Sequence, residues 1–351
     1  MSKQMDSAER SRVAIKKWCE WLEHNRGRSP RTVTKYHQYL TMLSQWLESE
    51  QECTLLDATL EHLELYVGFE AHRRGIRPRS RQPLVSCLRG FYRWAAGQAR
   101  AIESNPAAAL PQPSIGKSLP RVMSLHSAEK IMMAPDLGTF VGIRDAAIMS
   151  VMLGCGMRVG GVSGINEWDL EWARPKDEAL EELTIRTREK GGRERLVPAP
   201  HETALLLRAY LGHPDLAAID RSIPNGNAVL FVAMTTGGSC KDHEHYGERR
   251  RLSPRAIHRI VQKYAKQVGV PMEQAHPHAM RHLYGTELEE GDTGLFQIQA
   301  LMGHANTNST KQYVHLASRK LREAALKNSP ITKIYTPVSD LAKAMRDKEH
   351  T

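Results

Sequence analysis

Apolar residues in the first third of the chain recur at spacings of three and four. Val33, Tyr36, Leu40, Leu43 and Leu47 fall on one face of a helix that Ser29 caps and Pro30 opens. Leu84, Leu88, Phe91 and Ala95 mark a second amphipathic helix, with Arg89 and Arg93 on its other faces. Between Asn105 and Pro120 four prolines and a Gly-Lys-Ser step rule out a continuous helix and predict a linker. The pattern predicts a helical unit over 1–113, a linker over 114–120, a mixed unit over 121–328 and a tail over 329–351. In the mixed unit, Arg144 to Val159 reads as a buried helix. Leu183, Ile185 and Thr187 then alternate, Gly191-Gly192 supplies a turn and Leu196-Val197 resumes, which predicts a hairpin followed by several helices. In the tail, Thr336 and Pro337 open a short helix with a Val338, Leu341, Met345 stripe. Lys343, Arg346 and Lys348 lie toward its carboxyl end. So short a helix does not stand alone; it is expected to dock on a neighbouring protomer, with packing against its own domain as the alternative.

Composition narrows the class. A chain of 351 residues with 41% hydrophobic and 25% charged side chains has the balance of a globular protein of about two domains. Lys plus Arg exceed Asp plus Glu by 49 to 39, and the resulting net charge of +10 points to a polyanionic partner, most often nucleic acid. The longest nearly apolar run, Ala146 to Met157, is bounded by Asp145 and Arg158 and is too short to span a bilayer. The first thirty residues are charged throughout, unlike a signal peptide. The 5 cysteines are far apart with no Cys-x-x-Cys pair, which fits free thiols in a reducing compartment, and a cytoplasmic location is expected.

The basic residues are clustered. Arg73, Arg74, Arg77, Arg79 and Arg81 lie in one short stretch, either a solvated loop or part of a module that contacts phosphates. Residues 249–281 carry eight basic side chains against the single acid Glu273, and Arg255, Arg259, Lys263 and Lys266 share one helical face. So unbalanced a face suits a phosphate track.

The residues with chemical potential lie further along. Pro277 opens a helix on which His278 and Arg281 stand at i and i+3. Gly303-His304 reads as a turn before a helix bearing Tyr313. Arg158 stands at the end of the buried helix and Lys190 at the hairpin turn. Singly these carry little; in this order and spacing they resemble the tyrosine recombinase (integrase) family, with its Xer, phage integrase and Cre types. The resemblance spans roughly residues 10 to 325 and includes Ser29-Pro30-Arg31-Thr32, Leu88 to Trp94 and Asn105-Pro106.

The resemblance implies a mainly α fold with a small antiparallel β-sheet: an N-terminal helical SAM-like core-binding domain and an α+β catalytic domain, closing as a C-shaped clamp on DNA. It implies Arg158, Lys190, His278, Arg281, His304 and the nucleophile Tyr313 as catalytic residues. Arg31, Thr32, Arg79, Arg81, Arg89, Arg255, Arg259 and Lys263 are the expected DNA contacts. Expected partners are duplex DNA with inverted-repeat core sites, a homotetramer on two sites, and accessory DNA-bending or partner recombinase proteins. A catalytically silent DNA-binding protein of the same fold is the alternative, and a topoisomerase-like nicking and closing enzyme would share the chemistry.

The residue types suit the reaction. A phenol of pKa about 10 is a poor nucleophile at neutral pH and must lose its proton as it attacks. Two guanidiniums can neutralise the phosphorane, work that a two-metal site does elsewhere. No nucleotide-binding Gly-rich Lys-Ser/Thr loop is present and no cofactor is expected. There are two departures from the family. Gly161 stands where it usually has an acid, beside Gly160, which weakens the helix and the orientation of Arg158. Cys240 to Arg251 reads as an extra basic surface loop; Cys240, His243 and His245 lack a fourth ligand at metal-site spacing, so no metal is expected.

Overall fold

In this computed structural model, the structure describes residues 7–114, 123–174, 181–188, 194–235, 244–303 and 323–340. The chain divides into two compact units, Met1–Leu119 and Pro120–Thr351.

The first unit contains helices α1 (Ser7–His24), α2 (Pro30–Glu50), α3 (Leu60–Leu65), the single turn α4 (Ala71–Arg73) and α5 (Pro78–Ala96). The Ser29 side chain accepts from the Thr32 backbone N–H and Pro30 opens α2, as the pattern predicts. Leu40, Leu43 and Leu47 from α2 and Leu88, Phe91 and Tyr92 from α5 are buried with Trp18 of α1. The Trp18 ring stacks on Tyr36 and meets Phe91 edge-on, both at 5.6 Å between centroids. A π-helical turn, Tyr66–Glu70, separates α3 from α4. Arg81 braces it, donating from Nε to the Ile76 carbonyl at 2.7 Å and from Nη1 toward those of Val67 and Gly68. Arg89 likewise donates from Nε to the Leu110 carbonyl at 3.0 Å. The stretch beginning at Asn105 is therefore partly packed rather than wholly a linker: Ala107 and Leu110 belong to the core of the first unit.

The second unit contains α6 (Leu125–Met132), α7 (Phe140–Cys155), α8 (Val159–Gly164), α9 (His201–Leu211), α10 (Pro214–Ala217), α11 (Pro254–Gln267), α12 (Pro277–Glu290) and α13 (Leu295–Met302). Strands β1 (Leu170–Ala173), β2 (Glu182–Arg188) and β3 (Glu194–Ala199) form an antiparallel sheet in chain order. Ile185 sits opposite Val197, and Thr187 opposite Arg195. The β2–β3 pairing follows the alternation in the sequence; β1, four residues long, has too little alternation to predict. The Gly191-Gly192 turn lies outside the described residues.

Helix α7 is buried on nearly every face and forms the centre of this core. Its one charged pair is fully engaged. Arg144 donates to Asp145 at 2.6 and 3.0 Å and to the Val232 carbonyl at 2.8 Å, while the Tyr264 hydroxyl donates to Asp145 at 3.0 Å. This network ties α7 to α11 and to the segment around Val232. The helix stops at Cys155, short of the expected Val159, because Gly156 turns left-handed at φ 57°. A Cβ there would run into the Tyr284 ring, so both backbone and packing demand glycine.

One further expectation changes. The stretch that reads as an extra surface loop is built into the domain where it is described. Arg251 donates to the Ser163 carbonyl at 2.9 Å and to the Asn166 side chain at 2.6 Å, and the Leu252 N–H pairs with the Phe231 carbonyl. Arg251 thus closes the end of α8, and His245 is buried. Cys240 and His243 lie outside the described residues, and no group of three or more metal-ligating side chains occurs among the described ones. The first part of the tail packs on its own unit. The Ser329 hydroxyl donates to the Gly154 carbonyl at 3.0 Å, Ile331 is fully buried and Lys333 pairs with the buried Glu287 at 2.7 Å. The Thr336 hydroxyl meets Ser339 at 2.9 Å, as a capping residue would; the rest of the proposed tail helix lies outside the described residues. Among the described residues no helix is long and apolar enough to cross a membrane.

Candidate active site

The site is assembled around the carboxyl end of α13. Helix ends leave their last carbonyls without intrahelical partners. Here Gly303, left-handed at φ 64°, ends the helix, and three successive carbonyls face three guanidiniums. Arg195 of β3 donates to the Leu301 carbonyl and Arg281 of α12 to that of Met302. Arg158 donates from Nη2 to the Gly303 carbonyl at 3.4 Å. Arg281 also donates to the Gly156 carbonyl, so the left-handed turn after α7 and the end of α13 hold it from two sides.

Each arginine reaches this point for a local reason. Arg158 is the residue immediately before α8, extended at ψ 145°, and so projects from the start of a helix rather than from the end of α7. Arg281 follows His278 by three residues on α12, whose start is fixed by Pro277 and by His276, which accepts the Ala279 N–H at 3.0 Å. Arg195 occupies an inward register position on β3, in line with Val197 and Ala199.

Three cations here are partly or fully removed from water. Burial, with Arg158 and Arg195 close by, pulls Arg281 down to about 9. Burial and Arg158 pull Arg195 down to about 10. Both remain charged at neutral pH. The negative end of a helix, about half an elementary charge, offsets some of this repulsion. The cluster is nonetheless electron-poor, and an anion entering it would be held strongly. His278 is exposed, and its pKa lies below 6.5 through desolvation, His276, His282, Arg281 and Arg158, in that order. Its imidazole is mainly neutral at physiological pH and able to accept a proton.

The structure therefore brings together three of the six expected catalytic residues: Arg158, His278 and Arg281. Lys190, His304 and Tyr313 lie outside the described residues. Sequence reasoning missed Arg195. The available signal was an arginine at an inward position of a predicted strand, where burial demands a polar partner. Gly161 faces β2: a Cβ there would lie 2.9 Å from the Thr187 hydroxyl, whereas one on Gly160 would meet open space. Of the expected DNA contacts, Arg31, Arg79, Arg255, Arg259 and Lys263 are exposed, and Thr32 shares the α2 cap with Ser29 at 2.9 Å. Arg255, Arg259, Lys263 and Lys266 lie opposite the buried Ile257, Ile260, Val261 and Tyr264 of α11. Arg81 and Arg89 hold carbonyls of their own unit.

A helical unit followed by a mixed unit with clustered arginines defines a class, and comparison with known proteins gives it a family. Residues 121–320 match the phage integrase family and residues 15–99 the phage integrase N-terminal SAM-like domain. Similar proteins include tyrosine recombinase XerC of Myxococcus xanthus, 27% identical over 88% of this chain and 95% of that protein. XerC of Thermodesulfovibrio yellowstonii is 30% identical over 71% of this chain and 75% of that one. XerD of Pseudomonas putida is 28% identical over 88% and 94%. Among solved structures, the XerH site-specific recombinase bound to its difH substrate matches with a TM-score of 0.60, at 16% identity, over 92% of this chain and 85% of that one. A lambda integrase dimer bound to a core site also matches at 0.60, at 16% identity, over 84% and 94%. The chain belongs to the phage integrase family, the tyrosine-type site-specific recombinases.

Proposed function

We propose that this recombinase cleaves and rejoins duplex DNA through a covalent 3′-phosphotyrosyl intermediate on Tyr313. The observation that carries the reading is the convergence of Arg158 and Arg281, with His278 one turn away on α12, on a site that favours an anion. In this reading the two guanidiniums bind the non-bridging oxygens of the scissile phosphate and stabilise the charge that builds in the phosphorane. The Tyr313 oxygen attacks phosphorus as its proton passes toward His278. The bond from phosphorus to the 5′-oxygen breaks, and Lys190 protonates that oxygen; His304 donates to the phosphoryl group. Rejoining reverses these steps with a new 5′-hydroxyl. The phosphotyrosyl bond conserves the energy of the broken linkage, so no nucleotide is needed.

The DNA would be held by Arg31, Thr32, Arg79, Arg255, Arg259 and Lys263, with Arg81 and Arg89 supporting the backbone that presents their neighbours. Four protomers act on two inverted-repeat sites, with the tail beyond residue 340 passing to a neighbour and accessory proteins assisting. A cytoplasmic setting and a role in moving or resolving DNA elements belong to the same reading.

The test uses a duplex recovered by selection from a randomised pool, nicked near its centre so that cleavage traps the protein. A covalent adduct that Tyr313→Phe abolishes is expected. Binding without any adduct would make the protein a silent binder of the same fold, and supercoil relaxation without strand exchange would make it a nicking and closing enzyme.

A further inference from the structure

We propose that Arg195 is a positioning residue for strand cleavage: it fastens the carboxyl end of α13 to β3, and so sets the Arg158–Arg281 pair. The role rests on the phosphoryl-transfer reading of the site. Leu301, Met302 and Gly303 supply consecutive carbonyls to Arg195, Arg281 and Arg158, which come from three different elements. The helix end is thereby clamped at three successive residues, and each guanidinium has its direction set by a carbonyl that cannot move without the others. Arg195 comes from the sheet rather than from either helix bearing the other two. It faces Thr187 across the strands, against which α8 packs at Gly161.

Arg195 is directed at the Leu301 carbonyl, the one furthest back along the helix from the Met302 and Gly303 carbonyls that Arg281 and Arg158 meet. What it supplies is geometry. Losing the tie frees the helix end by a fraction of an ångström to an ångström, and a misplacement of that size at a reacting centre costs about 100-fold in rate.

Two variants separate positioning from folding. Arg195→Met keeps the apolar stem and removes the donors; Arg195→Lys keeps one donor able to reach a carbonyl. On the nicked duplex, single-turnover adduct formation should fall about 100-fold for Arg195→Met and recover to within about tenfold of wild type for Arg195→Lys. DNA affinity should stay within about threefold, since Arg195 is not among the residues proposed to meet phosphate. The decisive readout is a duplex whose scissile phosphate is replaced by methylphosphonate, which carries no net charge and depends less on aligned guanidiniums. There the deficit of Arg195→Met should shrink to within about tenfold. Equal losses on both duplexes, or no loss on either, would overturn the assignment. If wild-type protein itself forms no Tyr313-dependent adduct, it is the reading of the site that has failed, not the role of Arg195 within it.

Discussion

His278 stands one turn before Arg281 on α12, with His276 and His282 beside it, and every group that bears on it electrostatically is cationic or becomes so on protonation. Desolvation and these charges lower its pKa from 6.5, so the fold favours the neutral ring. Below pH 6.5 the unfolded chain already takes the proton while the folded one does not. The neutral ring therefore contributes stability that is present at neutral pH and lost as pH falls below that value. An NMR titration of His278 in the DNA-free protein should give a midpoint below 6.5, and Arg158→Gln should raise it by removing one repulsive charge; an unchanged midpoint in that variant would show the two side chains to be uncoupled. Gly156 is the second residue on which the site depends. Gly156→Ala forces a β-carbon into the left-handed region and against the Tyr284 ring, and should cost about 2–4 kcal/mol in thermal or urea unfolding. His278 could be read in the sequence from its spacing to Arg281; Gly156 could not, because it lies inside the apolar run that reads as one helix to Val159. Arg195 could not: in the string it is one basic residue among several in Arg193-Glu194-Arg195, and only strand register turns it inward.

Elements were legible where local chemistry decides them. Ser29-Pro30 and His276-Pro277 start helices because a cap acceptor and a fixed φ act within one turn. The buried helix α7 ends earlier than its apolar run suggests, because Met157 continues the apolar pattern while Gly156 has already turned the backbone. Arg81 and Arg89 read as DNA contacts and Arg251 as part of a basic surface loop, yet each donates to carbonyls, and a carbonyl acceptor leaves no mark in the sequence. Helix α8 shows how neighbouring identical residues can differ. Glycine weakens a helix by about 0.5–1 kcal/mol relative to alanine. At Gly160 nothing occupies the space a β-carbon would take, so Gly160→Ala should stabilise the free protein by about that amount. At Gly161 the β-carbon meets the buried Thr187 hydroxyl, so Gly161→Ala should gain less or destabilise. Equal melting shifts for the two would contradict this packing of α8 on β2. The Arg144–Asp145–Tyr264 network sets a larger scale. Asp145→Asn leaves Arg144 buried without its carboxylate and should cost about 3–5 kcal/mol, against about 1.5–3 for Tyr264→Phe, which removes the buried hydrogen bond to Asp145 and a partly exposed one from Lys263.

At the scale of the molecule, each unit has its own hydrophobic core, one built from α1 to α5 and the other around α7. A unit with its own core can fold alone, so residues 1–114 and 123–351 expressed separately should each unfold in one cooperative transition. Both units carry exposed basic residues, Arg31 and Arg79 in the first and Arg255, Arg259 and Lys263 in the second. In the proposed reading both faces contact DNA, which makes the second encounter intramolecular. The intact protein should then bind its selected duplex at least about 100-fold more tightly than either unit, without any interaction that the units lack. The salt dependence gives an independent check on which charges meet phosphate. Replacing Arg255, Arg259 and Lys263 together by glutamine should flatten the slope of log K against log salt by about 2.7, at about 0.9 for each phosphate no longer neutralised. Replacing Arg81 or Arg89, whose guanidiniums hold carbonyls, should lower the melting temperature of the first unit and leave the slope almost unaltered. A slope that responded to Arg89 and not to the α11 face would place the phosphate track on the wrong surface, and with it the orientation of DNA over the arginine cluster.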